Sequence, residues 1–364
     1  MTGRLQKTIH TDRLNQKKNN KMNNKLILLS KTSGVSSFGA LSDIKKSLDT
    51  RRVGHTGTLD SFADGLLVVL TGRLTRLVEH ITALDKEYTG IFVFGKETDT
   101  LDCQGKVIKT ADSPSKEKIL NLLPGFTGKI SQIPPAFSAV HIDGKRAYNL
   151  AREGKTPELK SREVFIKNFE LIDFFRDNRE NLSYGLFKIQ CSKGTYIRSL
   201  ARDLAVMAGS CGYVLRLRRN RVGAFKLEDS VFCEYLPDWD KKTLKETLIG
   251  FKSGESAALP PDLDKLSLIR QKALDFTREI AEMCGFYVAN LKENNFKVFF
   301  NGGILTCEDF YMDDSGILPG FYGDVKRKTA VYYRDSFAGL GEFDGKGNFK
   351  YIFVLPKEDF GEAY

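Results

Sequence analysis

An α/β chain of the α+β kind, with a smaller β-rich region at its C-terminal end, is what this 364-residue sequence predicts. Three observations carry the prediction. Between residues 25 and 225, short apolar runs of strand character are interspersed with segments that carry one apolar helical stripe. From residue 286 the text turns strand-rich and contains Asp344-Gly345-Lys346-Gly347-Asn348, a hairpin signal. The length is enough for a sizeable core and two domains.

Taken in order, residues 1–24 are polar and rich in Asn and Lys, which predicts a disordered basic tail. Lys25 opens an apolar strand, a Gly-Ser turn and a helix that Ser36 or Ser37 can cap, with Phe38, Leu41, Ile44 and Leu48 as its core stripe. Arg51–Leu70, RRVGHTGTLDSFADGLLVVL, combines a Gly/Thr-rich turn, the carboxylate of Asp60 and a buried strand at Leu66–Leu70. Gly54 and Gly57 free that turn for positive φ and close approach, and Thr56 and Thr58 supply short hydroxyls. Leu74–Leu84 predicts a helix, and Lys86-Glu87-Tyr88 opens a strand. A polar turn at 95–105 precedes a Pro-Pro loop and a basic helix within Pro124–Gly154. Phe187–Cys191 predicts a strand. The helix after it places Ile197, Leu200 and Leu204 on one face, with Arg198 and Arg202 on another. Tyr213–Phe225 alternates apolar and basic residues, the pattern of an edge strand with one wet, cationic face. Residues 253–285 predict a linker and a packing helix, and 286–364 a separate C-terminal domain with strands that include NGGIL.

Hydrophobic content of 41% and charged content of 28% are those of a soluble globular protein. No run is long enough to span a bilayer and the N-terminus is too polar for a secretory signal, so a cytoplasmic location is expected. Six cysteines lack any Cys-x-x-Cys pair and four histidines lack ligand spacing, so neither a disulfide framework nor a metal site is expected. The net charge of +10 is concentrated: residues 1–25 hold five Lys and two Arg against one Asp, and residues 188–226 hold three Lys and six Arg against one Asp. Such a stripe points to a polyanion, nucleic acid foremost, with a solvated charged face as the plain alternative.

Singly, Asp60 has the character of a turn or cap residue, Tyr88 of a packing residue and Arg198 of a solvated helix residue. The strings around them say more. Gly54–Asp60, GHTGTLD, with Ala63 and Gly65 in register, resembles the motif GHTGTLDPLATG of the TruB family of tRNA pseudouridine synthases; Ser61, Phe62 and Asp64 depart from it. Upstream, Ser30 and Thr32 stand where the family's DKPxGxxS motif has Asp and Pro. KEY at 86–88 matches the family's Lys-x-Tyr, and GKETDTLDCQG its G-x-x-T-x-T-x-D-x-x-G connection. The Ile-Pro-Pro, Phe-Ser-Ala and Gly-Lys-x-x-Tyr elements look like its RNA-gripping insertion. CSKGTYIRSLARDL matches its CSKGTYIR segment, and Leu217-Arg218-Arg219 its LRR segment, with Ala224 for the usual Pro. The likeness spans Lys25 to about Phe225; the C-terminal region looks like a PUA-type appendix.

The resemblance implies a pseudouridine synthase fold with a mixed, mostly antiparallel sheet, and isomerisation of uridine-55 in the tRNA T-loop without a cofactor. The base would be flipped out, which costs roughly a few kcal/mol. Asp60 would be the nucleophile, adding to the base, attacking the sugar or assisting a glycal route, with Arg198 as its ion-pair partner. Tyr88 would stack on the uracil and, were its pKa lowered, take the C5 proton. His55 would fill the space the base vacates, and Leu217 would face the uracil. Lys31, Lys145, Arg146, Arg152, Arg218 and Arg219 are the further candidates for contact with the RNA, Arg216 and Arg221 beside them. The expected partner is the tRNA T-stem-loop and the expected state a monomer. Two rivals remain: a non-catalytic RNA binder or tRNA-folding chaperone, against which Asp60 and Arg198 both stand, and a guide-RNA-dependent synthase resembling dyskerin. The text at Gly144–Tyr148 favours the stand-alone type over the latter.

Overall fold

Every residue of β1 (Leu26–Lys31) is buried, β2 (Val53–His55) is half-buried, and every residue of β3 (Asp64–Thr71) is buried. Strands covered on both faces carry unbroken apolar runs rather than alternation, which is why β1 and β3 are legible in the sequence. The computed structural model describes residues 24–138, 141–142, 145–146, 159–252, 259–312 and 328–360. The expected tail, but for Asn24, and Arg152 lie outside them.

Chain order continues with β4 (Lys86–Phe94), the hairpin β5 (Lys96–Thr98) and β6 (Val107–Thr110), and β7 (Gly128–Gln132). Two residues each form β8 (His141–Ile142) and β9 (Lys145–Arg146), an antiparallel pair within the stretch expected to hold a basic helix. Then come β10 (Arg162–Asp177), β11 (Leu182–Cys191), β12 (Gly212–Val222) and β13 (Phe225–Lys226). The main sheet runs β1-β3-β12-β4-β11-β10-β7, with β2 on β3 and β13 on β12. Among its described pairings only β3–β12 is parallel, so the sheet is mixed and mostly antiparallel, as expected.

β14 (Tyr287–Leu291), β15 (Phe310–Met312), β16 (Thr329–Tyr333), β17 (Ser336–Phe343) and β18 (Phe349–Val354) form a separate sheet in the order β15-β14-β16-β17-β18. The Asp344–Asn348 turn joins β17 to β18 as its sequence predicts. This sheet packs on the main one: Phe286, Val288, Ala330 and Phe337 share one apolar core with Leu66, Val68, Val222 and Phe225 of the main sheet. Among the described residues no helix is long and apolar enough to cross a membrane.

The structure corrects several elements. Phe38 is 71% exposed, with the Lys45 ammonium 4.5 Å from its ring centre, so the buried stripe of the first helix is Leu41, Ile44 and Leu48 alone. The helix expected at Leu74–Leu84 is a 3-10 turn, Gly72–Leu77, followed by Val78–Thr82. The expected packing helix is two short ones, Lys265–Gln271 and Arg278–Met283, and the NGGIL segment is a turn rather than a strand. β12 is central, between β3 and β4, not an edge. The long β10 carries a period-two burial pattern over Val164, Ile166 and their neighbours that the motif-led reading passed over.

Candidate active site

The loop between β2 and β3 carries Asp60. Gly57 in the loop (φ +111°) and Gly65 just beyond it in β3 (φ +109°) take positive φ, and a Cβ at Gly65 would lie 2.5 Å from the Arg219 carbonyl oxygen of parallel β12. Gly54 acts differently: its φ is not positive, and a Cβ there would press at 3.0 Å on Val78.

The loop is tied from outside on both flanks of Asp60. Ser37 Oγ accepts from Leu59 N–H (2.8 Å) and donates to Leu59 O (2.9 Å). Beyond Asp60, Gly34 N–H donates to Ser61 O (2.8 Å), Ser33 Oγ to Phe62 O (2.8 Å) and Lys31 Nζ to Ala63 O (2.6 Å). Ser61 Oγ donates to Gln104 Oε1 at 2.6 Å. A backbone held at this many points leaves the carboxylate little freedom.

Arg198 enters from the first turn of the helix Ile197–Met207. Its Nε lies 2.8 Å from Asp60 Oδ2 and its Nη2 donates to Asp60 Oδ1 (2.9 Å), the expected two-point pair. Nη2 also donates to Phe137 O (3.0 Å), and Nη1 to Thr100 O (2.9 Å) and Asp102 Oδ2 (3.3 Å). The guanidinium is 5% exposed while the Asp60 side chain is 35% exposed, so the cation is buried beneath a carboxylate that opens outward.

Asp102 is the site residue that sequence reasoning missed, because a Thr/Asp/Gly-rich stretch is most simply a solvated turn. Its carboxylate is buried and accepts from Thr100 Oγ1 (2.7 Å) and Gln104 N–H (3.0 Å). Burial pushes it above the usual carboxylate range, against the pull of Thr100 and Arg198. The T-x-T-x-D spacing was the available signal.

Tyr88, Leu59 and Leu217 belong to one buried apolar cluster. Tyr88 on β4 lies opposite Arg219 on β12, and Leu217 opposite Gly90. Burial pushes the Tyr88 phenol up to about 12, with the charge of Arg219 acting in the other direction. The lowered pKa expected of a general base is therefore absent in the free protein. His55 on β2 is held below the usual histidine range by burial and by Arg219. It is neutral at pH 7, and its Nδ1 is buried without a protein partner.

Three candidates for RNA contact are turned inward. Lys31 is 1% exposed, and its ammonium is consumed by the carbonyls of Thr32, Val35 and Ala63. Arg218 is 4% exposed, forked onto Asp64 (2.8 and 2.9 Å), bonded to Asp240 (2.9 Å) and stacked on Trp239. Arg219 is 1% exposed and donates to Leu66 O and Gly57 O. A buried cation with its donors spent on carbonyls and carboxylates cannot reach a phosphate. Others of the basic stripe lie beside carboxylates at the surface, Arg202 by Asp203, and Lys188 and Arg221 sharing Glu87. Lys145 and Arg146 lie on β9. Among the described residues no cluster of His, Cys, Asp and Glu could hold a metal ion.

Comparisons with known proteins show the family. Residues 45–197 match the model of the TruB family pseudouridylate synthase N-terminal domain. The tRNA pseudouridine synthase B of Treponema denticola is 38% identical over 338 residues, 87% of this chain and 94% of that protein. That of Borreliella burgdorferi is 46% identical over 251 residues, 68% of this chain and 85% of its own. Among solved structures, a Cbf5-Nop10-Gar1 complex matches with a TM-score of 0.61 at 21% identity, over 93% of this chain and 88% of that one, a likeness of fold.

Proposed function

Because this chain belongs to the TruB family of pseudouridylate synthases and is an isomerase, we propose that it converts uridine-55 of the tRNA T-loop to pseudouridine, with Asp60 as nucleophile on a flipped-out base. The observation that carries the proposal is the Asp60–Arg198 pair, an outward-facing carboxylate held at two points by a buried guanidinium. The reaction exchanges the N1–C1′ bond for a C5–C1′ bond without net oxidation, so it needs no energy input or redox partner. Addition to the base, attack at C1′ and assistance to a glycal all begin from the same carboxylate, which Arg198 holds in place. The wall of Tyr88 and Leu217 offers a face for the extruded uracil; an aromatic platform is worth about 1–3 kcal/mol per base. His55 would stand in the stack that the base leaves. The site works on a cytoplasmic substrate, and residues 25–252 carry it, with 286–364 as the C-terminal domain.

The test incubates the protein with an unmodified tRNA transcript and maps pseudouridine by carbodiimide-stop sequencing, beside Asp60→Ala. Signal at the T-loop uridine that vanishes in the variant is expected. A wild type that binds the transcript and modifies no uridine would overturn the proposal in favour of a binding-only role.

A further inference from the structure

Two adjacent serines at the start of the first helix do different work. Ser36 is exposed and closes the turn that leads into it, accepting from Gly39 N–H at 3.0 Å. Ser37 does no capping. Its side chain is turned inward, the residue is 3% exposed, and its one hydroxyl meets both backbone groups of Leu59, accepting from the N–H and donating to the carbonyl. A side chain that pairs with both polar groups of one residue imitates a neighbouring strand. It does so at the residue immediately before Asp60.

The flanks of Asp60 are held unequally. On the C-terminal side the carbonyls of Ser61, Phe62 and Ala63 each accept a bond from the segment Lys31–Gly34. On the N-terminal side, Thr56 N–H is fixed by Val68 O and Gly57 O by Arg219, while Thr58 is exposed. Ser37 supplies both described hydrogen bonds to the Leu59 backbone. Leu59 is also one of the apolar residues that pack in the cluster with Tyr88 and Leu217. Its peptide therefore joins the carboxylate to the wall that would face the base.

We propose that Ser37 is a positioning residue for the isomerisation: by pairing with both backbone groups of Leu59 it fixes the direction in which Asp60 leaves the loop toward Arg198. This rests on the reading of Asp60 as nucleophile. Ser37 touches neither substrate nor carboxylate, and its loss shifts the nucleophile without removing it.

The experiment compares Ser37→Ala, Ser37→Thr and Ser36→Ala with wild type under single and multiple turnover on the tRNA transcript, alongside thermal melting and amide hydrogen exchange over residues 57–63. Ser37→Ala is expected to lower kcat on the order of 10–100-fold with KM nearly unchanged, the scale of a misplacement of about 1 Å. Exchange at Leu59 and Asp60 should rise, and Ser37→Thr, which keeps the hydroxyl, should recover most of the rate. Ser36→Ala should lower the melting temperature and leave kcat alone. Wild-type kcat in Ser37→Ala, or an equal kcat loss in Ser36→Ala, overturns the assignment. Should Ser37→Ala fail to fold, Ser37→Cys keeps the volume with a weaker donor, and full turnover there overturns it equally. The exchange data stand apart from catalysis: a wild type inactive on every uridine counts against the proposed function, whereas unchanged exchange at Leu59 counts against the clamp.

Discussion

At the scale of single residues, the site shows how one environment separates the tasks of like groups. Asp60 and Asp102 both face Arg198, yet Asp60 is open and Asp102 buried, so under the proposed function the first would meet substrate while the second holds the guanidinium. Tyr88 combines a ring and a hydroxyl whose roles can be separated. With the phenol pushed up to about 12, it is protonated at neutral pH, and Arg219 is the group that would stabilise a phenolate formed while the base is bound. Tyr88→Phe is expected to bind tRNA as wild type does and to lose on the order of 10²–10⁴-fold in rate, the usual worth of a proton-transferring group. Filter binding and single-turnover kinetics read the two halves; a fully active Tyr88→Phe would leave stacking as the whole role of this residue.

At the scale of elements, β3 and β12 are locked by charges as well as by the ladder. Asp64, at the start of β3, accepts both arms of Arg218 on β12 and lies 3.3 Å from Trp239 Nε1. Asp64→Ala leaves a buried guanidinium short of its partner and is expected to cost about 3–5 kcal/mol. Asp64→Ala combined with Arg218→Met should cost less than Asp64→Ala alone, because the orphaned charge is gone. Urea unfolding of the set measures the coupling; strictly additive losses would mean that the pair is not a unit.

At the scale of the whole molecule, a histidine sits beside the segments that lead into the second sheet. His80, on the helix Val78–Thr82, packs edge-on against Phe286, with Lys328 Nζ 2.5 Å from its Nδ1. Burial, then Lys328, lower its pKa, and Glu79 opposes them. His55 is lowered too. A base with a depressed folded pKa binds fewer protons folded than unfolded over the interval between the two values. Its contribution is thus complete above the unfolded value of about 6.5 and is lost as pH falls through that interval. The melting temperature should therefore fall from pH 7.5 to 5.5, and His80→Gln should flatten the slope; an unchanged slope in that variant would remove His80 from the account.

The sequence by itself determined β1, β3 and β4, the helix that carries Arg198, and, through the motifs, the pairing of Asp60 with Arg198. Strands buried on both faces must be apolar throughout, a loop with left-handed turns requires glycine, and seven consecutive residues from Gly54 leave little room for coincidence. Tertiary structure alone decided where the charges go. Lys31, Arg218 and Arg219 are basic in any reading, but whether a cation meets phosphate or an internal carbonyl depends on which strands flank it. The central place of β12 follows from pairings with β3 and β4, more than a hundred residues distant in the chain. Ser37 and Asp102 were hidden for the same reason: their partners, Leu59 and Arg198, are 22 and 96 residues away, and hydrogen bonds over such separations leave no local period or propensity.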